Sequence, residues 1–429
     1  MSVKITAIRG MNDILPIPTK ENPVTTQRWQ AVEKVLRQLM HQYGYKEIRL
    51  PIVENTPLFK RAIGEVTDIV EKEMYTFLDK GQESLTLRPE LTASVMRSYI
   101  ENSLGEQLPL NKCWYMGPMF RQERPQKGRL RQFHQFGVEA LGSASPEADV
   151  ETMLVVLTVY EELGIKALNF KINSVGCPQC RPAYRDALVA FLDGVKGQLS
   201  EESRKRLVVN PMRILDSKDE RDIALTQSAP LMKDHLCTDC ATHFSRVQSS
   251  LNGLGIVYEI DGRLVRGLDY YTKTAYEIQS GNLGSQNALG GGGRYDLLAE
   301  EFGGKPTPAV GFAAGIERLM IVLEAEGIPI GEPEKLDVYF IALGAAAVGA
   351  TMPLIQKARR EGLTCDTDLL ARSMKAQMRD ANRMQARFTV ILGDNEIAQN
   401  MAVVKNMSDG AQEQISLNEL TSYLKTKLA

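Results

Sequence analysis

The chain has 429 residues, which at roughly 150 residues per domain amounts to about three folded units and excludes a peptide module. Its 43% hydrophobic and 24% charged residues, with 34 glycines and 19 prolines, exclude a disordered or collagen-like chain. The 51 basic and 53 acidic residues nearly cancel, so a polyanionic partner must meet a local positive patch. Six cysteines are too few for a secreted disulfide framework, and the N-terminal MSVKITAIRG lacks an apolar signal core. We therefore expect a cytoplasmic protein with no membrane partner.

The first predicted element is a long amphipathic helix over residues 25–43, where apolar side chains recur at helical spacing. Thr25 or Thr26 supplies its N-cap, and Gly44 ends it. In the β-like run that follows, Pro51 lacks the N–H of a central strand and therefore belongs at a sheet edge or an interface. Turns separate the β-like runs more often than helices do, which predicts a mostly antiparallel sheet in a large α+β domain. These runs cover residues 47–54, 84–87, 112–116, 132–140, 275–278 and 309–314.

Two segments mark the organisation of the chain beyond this sheet. Between about residues 173 and 258 the sequence is helical and polar and contains two cysteine pairs, which predicts an insertion into the α+β domain. The segment GIPIGEPEK (327–335) has the proline and glycine content of a linker and places a domain boundary near residue 330.

The remaining residues, 331–429, alternate strand-like and helix-like segments as βαβ units do, and they predict a small α/β domain. Residues 338–356 carry no charge over a length that could cross a bilayer. Glycines and Pro353 divide this stretch, so it is predicted to be a strand entering a helix rather than a membrane span.

A local positive patch lies in FRQERPQKGRLRQFHQFGVE (120–139), which predicts two strands joined by a loop. Its guanidinium groups suit the phosphates of a nucleotide or a nucleic acid, because the guanidinium fork binds phosphate through two hydrogen bonds. The alternative is a solvated basic hairpin, with Phe133 and Phe136 in the core. The basic residues are Arg121, Arg124, Lys127, Arg129 and Arg131.

Three further motifs have weaker individual signals. LVRGLDYYT (264–272) sets an arginine and an aspartate beside two tyrosines, and a structural role is its alternative. GGGGRYD (290–296) lacks the Lys-Ser/Thr ending of a phosphate-binding P-loop, so a closely packed, glycine-rich strand is favoured over an NTPase loop. GFAAGIER (311–318) predicts a strand entering a helix.

Together these motifs resemble those of class II aminoacyl-tRNA synthetases, and within them the histidyl-tRNA synthetase family. The resemblance runs in the expected order along essentially the whole chain. It implies a catalytic domain at residues 1–330 on a mostly antiparallel, six-stranded sheet, with the helical insertion, an anticodon-binding α/β domain at residues 331–429, and a homodimer. The motifs are RGMNDILP (9–16), TLRPELTA (86–93), FRQERPQKGRLRQFHQ (120–135), LVRGLDYY (264–271), GGRYD (292–296) and GFAAGIERL (311–319).

The activity that the resemblance implies is a ligation in two steps. L-Histidine and ATP give histidyl-adenylate and pyrophosphate, and histidine is then transferred to the 3' end of histidine tRNA, with Mg²⁺ accompanying the ATP. Arg121 and Arg266 would be catalytic, because they place fixed positive charge at the α-phosphate. The other implied ATP contacts are Phe133 stacking on adenine, Arg318 on the opposite face or near the γ-phosphate, Glu123 at the adenine edge and Arg129 at the outer phosphates.

The implied histidine pocket combines an acceptor and a hydroxyl, which match the N–H and the lone pair of an imidazole. Phenylalanine would leave these groups unpaired. The implied contacts are Glu90 and Thr92 at the α-amino group, Gln135 at the carboxylate side, Glu139 and Tyr271 at the imidazole, Arg266, and Tyr270 and Tyr295 along the pocket. Two residues depart from the family pattern. Leu91 replaces a glycine, which puts the backbone conformation beside Glu90 in question. Gln122 follows Arg121 at a position where the family commonly has histidine or tyrosine.

The two cysteine pairs, CPQC (177–180) and CTDC (237–240), have the spacing of a structural zinc site formed by Cys177, Cys180, Cys237 and Cys240. His243 could replace one cysteine as a ligand. Four reduced thiols that pack as small hydrophobic side chains are the alternative.

Basic residues elsewhere are consistent with a tRNA partner or with solvated helix faces. The resemblance places Lys205, Arg206, Arg213, Lys218 and Arg221 near the acceptor stem. Lys375, Arg379 and Arg383 share a helix face by their four-residue spacing and could meet the anticodon arm.

Two other functions are compatible with parts of the sequence. A histidine-sensing regulatory paralogue of a histidine-biosynthetic enzyme would keep the pocket, but such paralogues lack the anticodon-binding domain and tend to lose adenylation residues. A non-enzymatic RNA-binding protein would explain the basic patches but not the carboxylate and tyrosine pocket. The sequence favours the ligase.

Overall fold

The computed structural model describes residues 5–19, 23–64, 67, 69–217, 219–265, 268, 270–284, 287–331 and 335–428. The chain forms two compact units, Met1–Gly331 and Glu332–Ala429. In the described residues, no helix is long and apolar enough to cross a membrane.

The first unit contains two sheets and the helices that cover them. Its strands are β1 (Lys46–Glu47), β2 (Val53–Asn55), β3 (Tyr75–Leu78), β4 (Ser84–Leu87), β5 (Asn111–Phe120), β6 (Gln132–Leu141), β7 (Asn169–Ser174), β8 (Glu259–Ile260), β9 (Thr272–Gln279), β10 (Ala288–Arg294) and β11 (Ala309–Gly315). Its helices are α1 (Thr26–Gln42), α2 (Thr56–Ile63), α3 (Thr92–Glu101), α4 (Leu104–Gln107), α5 (Pro146–Glu162), α6 (Arg181–Val195), α7 (Glu201–Val209), α8 (Glu220–Leu225), α9 (Thr238–Gly253), α10 (Leu298–Glu301) and α11 (Ile316–Ala325).

The main sheet has the strand order β1-β5-β6-β11-β10-β9-β7-β8. Its six middle strands pair antiparallel, whereas the two-residue edge strands β1 and β8 pair in parallel with β5 and β7. The predicted mostly antiparallel sheet is confirmed, but in the described residues it is eight-stranded and mixed, not six-stranded. The difference lies in the two short edge strands, β1 and β8, which add to the six antiparallel strands.

The predicted first helix is confirmed as α1. Thr25 Oγ1 accepts the N–H of Arg28 at 3.5 Å, and Gly44 takes a φ of +75°, which favours glycine. Pro51 is exposed between β1 and β2, outside both strands. A second, three-stranded antiparallel sheet has the order β2-β4-β3.

The alternation of side chains along β6 divides the first unit into two cores. Phe136 and Val138 pack on one face with α1, α5 and α11. The other face carries Phe133 and Leu141, against which α2, α3 and three tyrosines pack. Gln135 and Glu139 share this second face by their odd-numbered register, so polar side chains lie at the base of that core.

Helices α6 to α9 lie between β7 and β8; Tyr184, Leu188 and Leu192 of α6 belong to a separate apolar cluster, whereas the buried side chains Phe244, Val247 and Leu251 of α9 belong to the first core. The boundaries predicted for an insertion domain stay a prediction.

The second unit has a five-stranded sheet with the order β13-β12-β14-β15-β16, in which the first three strands are parallel. The uncharged stretch at residues 338–356 forms a strand followed by most of a helix, as predicted. The elements are β12 (Val338–Leu343), α12 (Ala345–Arg360), β13 (Cys365–Thr367), α13 (Met374–Arg383), β14 (Phe388–Gly393), α14 (Asp394–Ala398), β15 (Met401–Asn406), β16 (Gln412–Ser416) and α15 (Leu420–Leu428).

Candidate active site

A buried carboxylate lies at the centre of the second core. Glu139, on β6, is 0% exposed and accepts hydrogen bonds from Thr92 Oγ1 at 2.7 Å, from the Tyr115 hydroxyl at 3.1 Å and from the Tyr295 hydroxyl. Burial raises the pKa of Glu139 to about 8, although the hydroxyl donors oppose this shift. Gly311 on the neighbouring strand makes room for the carboxylate, since a Cβ atom there would overlap it.

The pKa of Glu139 predicts that the stability of the protein without ligand falls as the pH rises from about 5 to 8. The carboxyl shifts from an ordinary pKa of 4.5 to about 8, so the folded state keeps a proton that the unfolded state releases. The contribution of Glu139 to stability is complete at pH values below the pKa of this carboxyl in the unfolded state. It is lost as the pH rises toward the pKa in the folded state, by up to about 1.4 kcal/mol per pH unit. The substitution Glu139→Gln should remove the part of the pH dependence of stability that comes from this carboxyl.

Urea unfolding measures this slope through the fluorescence of Trp29 and Trp114, the two tryptophans of the chain, which both lie in the first unit. Carboxylates that do not interact with Glu139 titrate in both proteins and cancel in the difference. Equal slopes for the wild type and Glu139→Gln between pH 5 and pH 8 would contradict the assignment.

A second buried carboxylate, Glu90, lies just before α3. Its oxygens accept the backbone N–H groups of Thr92 at 2.6 Å and Ala93 at 3.0 Å, and burial raises its pKa. Leu91, which replaces the glycine of the family pattern, has φ −118° and ψ −16°, an ordinary conformation for leucine, and its side chain is buried. The departure at Leu91 therefore leaves the backbone beside Glu90 unstrained.

Three buried tyrosines line the space above Glu139. The ring centroid of Tyr270 lies 4.7 Å from that of Tyr271 and 5.5 Å from that of Tyr295. Tyr295 and the unforeseen Tyr115 contact Glu139, so the structure adds a hydroxyl that no motif contained. Tyr115 lies opposite Gly137 in the β5–β6 register, where the missing side chain leaves space for its ring. The predicted catalytic residue Arg266 lies outside the described residues.

Further along the same face of β6 is a cavity of about 180 Å³. Arg121 extends its guanidinium over the ring of Phe133, 5.2 Å from the centroid, and its Nε donates to Pro89 O at 3.0 Å. Gln135 also lines the cavity, and its buried Oε1 has no hydrogen-bond partner among the described residues. A buried unpaired amide oxygen is costly unless a ligand supplies a donor.

The cavity also gathers like charges. Arg318 donates from Nε to Gly128 O and from a terminal nitrogen to Ala288 O, both at 2.8 Å, which ties the hairpin loop to β10. Burial and the positive charges of Arg121 and Arg129 lower the pKa of Arg318. Arg129 is within 3.1 Å of Glu123, one of two acidic side chains that line the cavity, the other being Glu317. Three guanidinium groups around one cavity favour a polyanionic ligand.

The positive patch of the hairpin loop is thus divided. Arg121 and Arg129 line the cavity, whereas Arg124 and Lys127 are exposed. The two aromatic residues are divided as well, because Phe136 is buried in the first core and Phe133 lines the cavity. Gln122 is exposed. Its backbone N–H donates a hydrogen bond to Glu73 O.

The glycine-rich strand β10 is divided: Gly290 and Gly291 line the cavity, whereas Gly292 and Gly293 pack against neighbouring backbone. A Cβ atom at Gly292 would overlap Gly311 O, and one at Gly293 would overlap Thr274 O. Arg294, at the end of this strand, is 0% exposed and ion-paired with Asp149 of α5. Asp149 also contacts His243 Nε2 at 3.3 Å, and His243 is not among the side chains that cluster with the four cysteines in the described residues.

The four cysteines of the two pairs, the four-cysteine cluster, lie together. Their Sγ atoms are all within 4.8 Å of one another, with 3.6 Å between Cys177 and Cys180 and 3.9 Å between Cys177 and Cys237. All four are free thiols.

Comparison with known proteins agrees with this geometry. A family model described as "Histidyl-tRNA synthetase" matches residues 20–319, and one described as "Anticodon binding domain" matches residues 337–427. The chain is 46% identical over 419 residues to the histidine–tRNA ligase of Acetivibrio thermocellus, covering 98% of this chain and 99% of that protein. It is 48% identical over 420 residues to that of Halothermothrix orenii, covering 98% of each.

Among solved structures, the crystal structure of apo S. aureus histidyl-tRNA synthetase matches with a TM-score of 0.82 and 40% identity, covering 98% of this chain and 100% of that one. The chain therefore belongs to the histidyl-tRNA synthetase family. The resemblance predicted from its motifs is confirmed, as is the C-terminal anticodon-binding α/β fold.

Proposed function

We propose that this chain is a histidine–tRNA ligase that joins L-histidine to ATP and then transfers histidine to the 3' end of histidine tRNA. One observation carries the proposal. The buried carboxylate Glu139, which accepts hydrogen bonds from hydroxyl groups, lies on the same face of β6 as the arginine-lined cavity. The full-length match to ligases and the anticodon-binding unit favour this function over a regulatory paralogue or a non-enzymatic RNA-binding protein.

The pocket around Glu139 is suited to an imidazole. A carboxyl with a pKa of about 8 can hold or release a proton near neutral pH, and the tyrosine hydroxyls beside it offer both donors and acceptors. A phenylalanine side chain would displace water from these buried groups without pairing them, which is a strong basis for rejecting it. We assign Glu139 with Tyr271 to the imidazole, Tyr270 and Tyr295 to the pocket wall, and Glu90 with Thr92 to the α-amino group.

The arginine-lined cavity is suited to ATP. Gln135 lies between this cavity and Glu139 along β6, so its unpaired Oε1 faces the place where the two substrates meet. We assign Arg121 to the α-phosphate, where charge develops as the histidine carboxylate attacks, and we keep Arg266 as a proposed partner there.

The remaining ATP contacts follow from the same cavity. The ring of Phe133 is a stacking surface for adenine, Arg318 is assigned to the opposite face of adenine or to the γ-phosphate, and Arg129 meets the outer phosphates. Glu123 is assigned to the adenine edge. Mg²⁺, which prefers hard oxygen donors, accompanies the triphosphate.

Histidine-dependent exchange of labelled pyrophosphate into ATP, without tRNA, tests the first step. We expect exchange with histidine and none above background with the other amino acids. Histidine binding without exchange would replace the ligase by the regulatory function, and RNA binding without either would favour the third function. Aminoacylation of histidine tRNA then tests the transfer step.

The tRNA partner has support from the second unit. Lys375, Arg379 and Arg383 are exposed along α13, as a phosphate-binding helix face requires. The acceptor-stem assignment in the first unit has weaker support. Lys205, Arg206 and Arg221 form ion pairs with acids of their own segments, and Lys218 lies outside the described residues.

We also propose a homodimer. The apolar face of α1 packs within its own chain. The segment after Pro51 and strand β3 offer an apolar contact surface, because Ile52, Val53, Phe77 and Leu78 are exposed on the small sheet and its approach. Light scattering of the wild type and of Phe77→Asp separates a dimer from a monomer.

The four-cysteine cluster is proposed to hold a structural zinc ion. A tetrahedral ion with Zn–S bonds of about 2.3 Å separates its sulfur atoms by about 3.8 Å. The observed separations of 3.6 Å and 3.9 Å lie on either side of that value and are far from the roughly 2.05 Å of a disulfide.

A further inference from the structure

We propose that the four-cysteine cluster is a metal site that positions the tyrosine wall of the substrate pocket, in addition to joining the helices of its own segment. The identity of the pocket's ligand as histidine rests on the proposed function. The connection between the cluster and the wall rests on contacts among described residues.

The first contact is a backbone pairing immediately before the cluster. Val175 N donates to Lys273 O at 2.7 Å, and Lys273 N donates to Gly176 O at 2.8 Å. Gly176 directly precedes Cys177, the first residue of the cluster. Lys273 has a φ of +50°, a left-handed conformation that a lysine holds only when its surroundings fix it. The residues before the cluster therefore fix the backbone two residues after Tyr271.

The second contact is made by Arg181, which follows Cys180 in the chain and begins α6. Its guanidinium donates to the carbonyl oxygens of Val175, at 3.3 Å, and Tyr271. Because the neighbouring Cys180 would be a metal ligand, binding of the ion fixes the start of α6 and hence the base of the Arg181 side chain. The Tyr271 ring packs on Tyr270, which packs on Tyr295, and Tyr295 donates to Glu139.

The third contact lies on the other side of the same motif. Val265, which precedes the proposed catalytic Arg266 in the sequence, is buried in one apolar cluster with Cys180 and Cys240. Cys237 N donates to Cys180 Sγ at 3.1 Å, which joins the two cysteine pairs. Val265 and Lys273, which precede and follow the two tyrosines in the sequence, are thus each held by residues in or next to the cluster, and loss of the ion would loosen the pocket wall.

The test uses the full-length protein with its metal and two independent ways of breaking the connection. Zinc content, measured by mass spectrometry, should be one ion per chain in the wild type and in Cys365→Ala, and should be lost in Cys237→Ser. Zinc removal by a chelator should raise the KM for histidine in pyrophosphate exchange by about tenfold or more, with the KM for ATP changed less than about twofold, and added zinc should reverse the effect.

Arg181→Gln breaks the connection without touching a ligand, so it decides the proposal even if Cys237→Ser does not fold. It should keep one zinc ion and show the same selective rise in the KM for histidine. Arg185→Gln, one turn further along α6 and exposed, is the matched control and should behave as the wild type. A wild type without zinc, or equal KM changes for histidine and ATP in Arg181→Gln, would overturn the proposal.

Failure of the ligase proposal is distinguishable from failure of this one. If the wild type shows no exchange, the ligase function fails, while calorimetric titration with histidine still measures the connection. A weaker Kd for histidine in Arg181→Gln than in Arg185→Gln supports it, and equal values overturn it.

Discussion

Replacing Arg121 by lysine should lower the rate of histidine-dependent pyrophosphate exchange by about 10²–10³-fold and leave the fold intact. Arg121 holds its guanidinium over Phe133 and against Pro89 O, so its planar group is already placed beside the cavity before substrate arrives. Lysine keeps the charge but loses the planar fork and the stacking contact. We expect the loss mainly in kcat, because the positive charge is required where negative charge develops at the α-phosphate.

Arg124→Lys is the matched control, since Arg124 belongs to the same loop but is exposed. It should retain exchange within about twofold of the wild type. Circular dichroism and the melting temperature show whether Arg121→Lys is folded. A folded Arg121→Lys with wild-type kcat would remove Arg121 from the reaction and leave the phosphate contact to other side chains.

The features predicted correctly from the sequence are those that local pattern determines. Helix α1 has its cap and stop within the segment, and the β5–β6 hairpin is marked by two β-like runs and a polar loop. The buried side chains Glu90, Glu139 and Tyr295 belong to motifs whose order along the chain resembles a known family. Their gathering around one pocket agrees with that resemblance, while their roles toward substrate stay a proposal.

The features that were missed depend on pairing between distant parts of the chain. Tyr115 meets Glu139 because β5 and β6 pair in one particular register, and a shift by one residue would point its side chain to the other face. Arg294 was grouped with the glycine-rich motif, yet its partner Asp149 is 145 positions away in the sequence. Neither contact has a signal at short range, so only the folded structure shows them.

The ion pair between Arg294 and Asp149 leads to the largest expected effect on stability. Arg294 also donates to Ser143 O at 2.7 Å and Ser145 O at 3.0 Å, so it joins β10 to the start of α5. Both charged side chains are 0% exposed. Arg294→Met should cost about 3–5 kcal/mol in the free energy of unfolding at pH 7, because it leaves a buried carboxylate without its guanidinium partner.

The pH dependence of this loss identifies its cause. In the wild type, burial opposes ionisation of Asp149, but His243 and Arg294 hold its pKa below the usual range. Without Arg294, burial dominates and the pKa of Asp149 rises, so Asp149 adds to the variant a loss of stability with increasing pH that it does not cause in the wild type. The difference in unfolding free energy should therefore be larger at pH 7 than at pH 5, and Arg294→Met/Asp149→Asn should recover part of it.

Urea unfolding at the two pH values, followed by the fluorescence of Trp29 and Trp114, reports on the first unit alone. Arg246→Met is the control, because Arg246 pairs with Glu147 at the surface beside the same helix and should cost at most about 1 kcal/mol. If Arg294→Met destabilised the first unit equally at both pH values, the loss of unfolding free energy would come from packing and backbone hydrogen bonds rather than from the unpaired buried charge of Asp149. That outcome would leave Arg294 as a structural link between β10 and α5 and reject the electrostatic origin of its effect.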